Sequence, residues 1–142
     1  MKRRLALILF VAFLFALTGC GAKNAEKEIF TLVEQNYDVI VKACVEKDED
    51  ALLGINGIKQ VNIVDGYVIV YCTGAGIASS SQDYGFYYSP DNSPIAVDCN
   101  LMIVRSAEDL APEGKGFQCV VNYDTFYTQL IKGNIYFYRN AY

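Results

Sequence analysis

The stretch that most limits the fold is KQVNIVDGYVIVYCT, Lys59 to Thr73. β-Branched residues lie on both sides of Asp65-Gly66, a pair favoured in two-residue reversals, so the segment predicts an antiparallel hairpin. Alternation sets its faces. Val68, Val70 and Cys72 share one side; Tyr67, Ile69, Tyr71 and Thr73 share the other. Further strands are expected at Tyr84–Ser89, Ile95–Val104, Phe117–Tyr123 and Asn134–Asn140, with a second short helix over Tyr123–Ile131. Before the hairpin, Ile29, Val33, Tyr37, Ile40, Val41 and Cys44 recur at helical spacing and give one apolar stripe. The charged run Glu46–Asp50 cannot face a core, and its acids oppose the macrodipole at a helix C-terminus, so it ends that helix.

Only one long helix precedes the strand signals, which argues against alternating βαβ units. The expected fold is α+β: one long N-terminal helix packed on an antiparallel β-sheet of about five to six strands. The aliphatic sets Ile95, Val97, Cys99, Leu101 and Ile103, then Phe117, Cys119 and Val121, then Ile135 and Phe137, are expected to face the helix. The opposite face would carry tyrosines, including Tyr136 and Tyr138.

The first twenty residues are a separate unit. Lys2, Arg3 and Arg4 precede an apolar run, about Leu5 to Ala16, that ends in small residues before Cys20. This is the layout of a secretory signal, and the run is short for a spanning helix. Leu17-Thr18-Gly19-Cys20 resembles the lipobox of bacterial lipoproteins. The resemblance implies that residues 1–19 are a signal peptide, that Cys20 is acylated, and that two lipid chains hold the protein on the cell membrane, facing outward. Residues 20–27 are then the lipidated cysteine and a short polar tether, and 28–142 one α+β domain. The alternative is an uncleaved anchor in which Cys20 is incidental.

Charge and composition narrow the function. Removing the signal takes away three of the 12 basic residues and none of the 16 acidic ones, leaving a net charge of −7. Such a domain is repelled by an anionic membrane surface and is a poor candidate for nucleic acid. The chain has no histidine and no tryptophan. It therefore lacks the commonest general base and the commonest metal ligand. No cofactor and no metal is expected.

Four cysteines remain in the domain: Cys44, Cys72, Cys99 and Cys119. In an exported protein they can form two disulfides, with three connectivities, or stay as free buried thiols. They show no CxxC spacing, and a thiol nucleophile would lack its histidine partner.

CTGAGIASSSQDYGFYYSPDNSP, Cys72 to Pro94, contains the residues closest to a site motif. Gly74 and Gly76 can bring backbone N–H groups near a ligand, and Ser79, Ser80 and Ser81 supply hydroxyls. A phosphate loop also needs a following lysine or a helix N-terminus, and neither is present. The segment therefore reads first as a strand-to-strand connection. Tyr84, Phe86 and Tyr88 share one face of the next strand, and Tyr87 points to the other, beside Tyr67 or Tyr71. An outward Tyr87 would offer a flat surface to a peptide or sugar, or it would cover the second face of the sheet. Pro90-Asp91-Asn92 predicts a tight reversal. The octet YGFYYSPD resembles a stretch of small uncharacterised lipoproteins of Gram-positive anaerobes, and that resemblance implies no activity.

These readings lead to a non-catalytic envelope lipoprotein that binds a protein, peptide or cell-wall glycan through Gly74, Gly76, Ser79, Ser80, Ser81 and Tyr87. The competing readings are an envelope hydrolase using carboxylates such as Asp83, Asp91 or Asp98, and a purely structural envelope component.

Overall fold

A computed structural model describes residues 21–76 and 80–142, with side chains from Asn24 onward. The signal segment and Cys20 lie outside the described residues. Three short helices come first: α1 (Gly21–Gln35), α2 (Tyr37–Glu46) and α3 (Glu49–Leu53). The rest is β: β1 (Gln60–Val64), β2 (Tyr67–Ala75), β3 (Gln82–Tyr88), β4 (Ala96–Val97), β5 (Ile103–Arg105), β6 (Ala111–Glu113), β7 (Gly116–Val121), β8 (Asp124–Lys132) and β9 (Ile135–Ala141). Seven strands form one antiparallel sheet in the order β1-β2-β3-β9-β8-β7-β6, and β4 pairs with β5 in a second, two-stranded sheet.

The fold is therefore mostly β, which corrects the expectation of one long helix on five to six strands. The helical stripe is real but interrupted. The side-chain amide of Asn36 donates to the Leu32 carbonyl at 2.8 Å, and Asn36 itself leaves helical geometry at φ −116°, ψ 17°. Lys47, at φ 56°, ends the next helix in the left-handed region. Asp48 then caps α3, its carboxylate accepting from the Ala51 N–H at 3.0 Å. Residues 21–27, expected as a tether, belong to α1, and Ala25 is already buried.

Two further expectations change for physical reasons. Tyr123–Ile131 is not a helix. Thr125, Phe126, Tyr127 and Thr128 are β-branched or aromatic, and Phe126 and Thr128 alternate inward in β8 between β7 and β9. Ile95–Val104 is not one strand of the main sheet. The Asp98 carboxylate accepts from the N–H groups of Asn100 and Met102, both at 2.9 Å, and folds the chain into a turn in which Leu101 takes φ 56°. Ile95, Val97, Leu101 and Ile103 therefore pack on the face away from the helices, not toward them, and Cys99 is exposed.

The hairpin predicted at Asp65-Gly66 is present, with Val64 paired to Tyr67 and positive φ at both turn residues, 52° and 87°. Its alternation holds. Val68, Val70 and Cys72 join Ile29, Val33, Ile40 and Phe137 in one core. Ile69 joins Tyr87, Tyr136 and Tyr138 in the second, beneath the segment carrying β4 and β5. Each fully buried aliphatic side chain here contributes about 1.5–3 kcal/mol before entropy is counted.

Candidate functional site

The tyrosine face expected to be exposed is internal. Tyr87 has no accessible surface, Tyr136 has 5% and Tyr138 has 1%. The Tyr87 hydroxyl accepts from the Ile95 N–H at 2.9 Å and lies 2.7 Å from Thr128 Oγ1. This corrects the expectation of an outward Tyr87, because residues 93–105 cover it. Tyr138 lies over Gly85, its partner across the β3–β9 ladder. A Cβ at Gly85 would sit 2.7 Å from the Tyr138 hydroxyl oxygen and inside the Val70 carbonyl, so only glycine lets this ring lie on the sheet.

The Gly-Ser segment is divided. Gly74 is exposed near the end of β2, between the Tyr71 hydroxyl and the Asp83 carboxylate; each would lie 2.8 Å from a Cβ there. Gly76 is exposed at φ 114° and Ser80 is exposed. The Ser81 carbonyl accepts from the Tyr142 N–H at 3.0 Å. Ser79 lies outside the described residues, as does Cys20. The structure therefore brings Gly74 toward Asp83 but places Tyr87 on the buried second face.

The three candidate carboxylates have different tasks. Asp91 accepts from the Ser89 and Tyr67 hydroxyls at 2.8 and 3.1 Å, and these bonds hold its pKa below the usual range. Asp98 holds its own turn. Asp83 pairs with Asn140 across β3 and β9, and burial raises its pKa against the opposing effect of the Tyr142 hydroxyl. The Tyr138 hydroxyl, the Asn140 amide and the Tyr142 hydroxyl are buried with no aligned partner among the described residues.

All four domain cysteines are free thiols in this structure. Burial pushes Cys44 and Cys72 up to about 12, with Lys59 opposing the shift at Cys72. Neither is a thiolate at neutral pH.

The concave surface lies elsewhere, along α1. A depression of about 490 Å³ is bounded by Thr31, Gln35 and Asn36 on the helix side and by Gly54, Ile55 and Asn56 after α3. It shares Glu28 and Leu32 with a second, of about 280 Å³, that reaches Lys59, Cys72 and Thr73. The second shares Ala25, Glu28 and Thr73 with a third, also about 280 Å³, that ends at Asn24, Gly74 and Ala75. The three lie side by side along α1, sharing lining residues, and together make up a groove spanning about 17 Å of helix from Asn24 to Gln35 at 1.5 Å per residue. The first part is lined by amides and a hydroxyl, from Gln35, Asn36, Asn56 and Thr31; the middle part is mostly apolar, with Ala25, Ile29, Leu32 and Cys72; the exposed Glu28 borders all three.

Sequence reading found one end of this groove, Gly74, and missed the helical wall. The available signal was the polar set Asn24, Glu28, Thr31 and Gln35 beside the apolar stripe, followed by the turn-forming Gly54–Gly57. Among the described residues no helix is long and apolar enough to cross a membrane. Comparison of the chain with family models, with curated proteins and with solved structures gives no match.

Proposed function

We propose that the chain is a lipid-anchored, non-catalytic binding module of a bacterial cell membrane, facing outward, and that the groove along α1 holds a protein or peptide ligand. The observation that carries this reading is the adjacency of three depressions along α1 that share Glu28. The thiol at the groove floor, Cys72, is held protonated by burial, which favours recognition over nucleophilic chemistry. A glycan is a poorer fit. Sugars stack on exposed aromatic rings, and the aromatic side chain bordering the groove, Tyr84, is 1% exposed.

The proposed anchor would lie close to the groove. Asn24, at one end of it, is four residues after Cys20. Acylation of Cys20 would keep the Asn24 end of the groove within four residues of the lipid attachment. The ligand would then be met close to the membrane.

The test combines Thr31→Arg and Asn56→Arg, which fill the groove from both sides, with Lys115→Glu on the distant β6–β7 turn as control. Capture of envelope proteins by the lipidated chain should fall with the groove substitutions and persist with the control. Equal capture by all variants of unchanged stability would reject the groove. Mass spectrometry of the membrane fraction should find diacylglyceryl on Cys20, and Cys20→Ser should release the chain.

A further inference from the structure

The groove has an open sheet edge along part of its wall. β1 pairs with β2 only as far as Gln60 opposite Tyr71, with one more bond from the Lys59 N–H to the Tyr71 carbonyl at 3.0 Å. The chain before Lys59 forms a turn, Ile58 N–H to Ile55 carbonyl at 3.1 Å, and does not continue the pairing. β2 runs on from Cys72 to Ala75, paired there to β3 alone. On its other side no strand among the described residues accompanies it, and this is where Thr73, Gly74 and Ala75 line the groove. Thr73 is half-buried; Gly74 and Ala75 are exposed. Edges are normally blunted by lysine, proline, a bulge or a covering element. Thr73–Ala75 contains neither lysine nor proline; it follows a register shift between Tyr71 and Thr73, and α1 faces it across the third depression rather than packing onto it.

We infer that this edge takes an extended peptide, which adds as a strand beside β2 in line with β1 and carries a cationic side chain facing Glu28. The inference rests on the groove reading above and specifies its ligand. Main-chain hydrogen bonds from β2 supply affinity, and alternate side chains of the guest supply specificity. The Thr73–Ala75 edge is about 10 Å long and pairs with about three extended guest residues at 3.3 Å each, and the rest of the guest follows the groove. Charge selects the guest. Glu28 borders all three depressions, while Lys59 Nζ is 5.9 Å from the Tyr71 ring centroid. A second copy of this chain is disfavoured as occupant, because pairing β2 with β2 would bring two Glu28 side chains and two domains of charge −7 together.

The probe is an array of eight-residue peptides blocked at both ends, offered to the mature chain. Retained peptides should carry Lys or Arg at one fixed position and should shift the amide resonances of Thr73, Gly74 and Ala75. N-methylation of alternate amides should weaken the best peptide about tenfold or more on one edge, and leave it nearly unchanged on the other. Glu28→Gln should abolish the preference for Lys or Arg and keep the asymmetry between edges. Equal effects of methylation on both edges would overturn strand addition while leaving the groove as a binding site. No retained peptide, perturbations outside the groove, or concentration-dependent self-association through the same amides would also overturn it. The groove reading fails separately, if the arginine substitutions at Thr31 and Asn56 leave envelope capture intact.

Discussion

Tyr87 stacks on Tyr136 with ring centroids 5.3 Å apart and planes 2° from parallel. The pair sits opposite in the β3–β9 ladder, and the Tyr87 hydroxyl reaches past it to the Ile95 backbone. One side chain thus joins the main sheet to the segment that covers it. Tyr87→Phe keeps the stack and leaves the Ile95 N–H without this partner. It should cost about 1–3 kcal/mol of stability, the range for a buried group left unpaired. Urea unfolding measures this, and ligand capture by the folded fraction should not change. A variant of full stability that loses capture would return Tyr87 to the surface.

Gly85→Ala should be more damaging than its size implies. The new methyl group meets the Val70 carbonyl and the Tyr138 ring together, and the backbone contact cannot be relieved by a rotamer change. Overpacking of this kind costs about 1–3 kcal/mol or more. Thermal unfolding should show a clearly lower midpoint, and Tyr138→Leu should restore little of it, because the Val70 contact remains.

The thiols should react in a fixed order. Cys99 is exposed and should be alkylated first. Cys119, half-buried with its pKa raised by burial, should follow. Cys44 and Cys72 should stay protected until the chain unfolds. Timed alkylation read by mass spectrometry gives the order directly. Early labelling of Cys72 would mean that the groove floor is more open than the structure has it.

How much of this was legible in the sequence depended on the range of the signal. Asp65-Gly66 and the alternation around it are local, and the hairpin follows from them. The Ile29–Cys44 stripe is also local, and its buried members are as expected. α1 ends where Asn36 leaves helical geometry while its backbone N–H and its side-chain amide both donate to the Leu32 carbonyl, a local detail that periodicity cannot register. YDTFYTQLI has apolar residues at both helical and strand spacing. Its choice of β8 was made by partners on both sides, Thr125 opposite Val120 and Ala141. Tyr87 was placed on the correct face but not in the correct environment. Alternation assigns a face; it does not say that residues 93–105 will leave the sheet and cover it.

Stability near the acid range should depend on two aspartates in opposite directions. Hydrogen bonds lower the Asp91 pKa in the folded chain. Its contribution is present above the unfolded value, about 3.9, and is lost as pH falls through the lower folded value. Asp83 is raised by burial, so its contribution is present below the unfolded value and is lost as pH rises through the folded one. Asp91→Asn should flatten the loss of stability below about pH 4, and Asp83→Asn should raise stability most at neutral pH. Unfolding midpoints of both variants between about pH 2 and 7 check the signs.

The claim that the α1 groove is the contact surface is tested most directly by photo-crosslinking in intact envelopes. A photoreactive amino acid at Thr31, inside the groove, is compared with one at Lys115, on the far edge of the sheet. The account predicts a discrete adduct from Thr31 that is absent from Lys115 and is lost when Asn56 is replaced by Arg. The same adducts from both positions, or adducts from Lys115 alone, would contradict it.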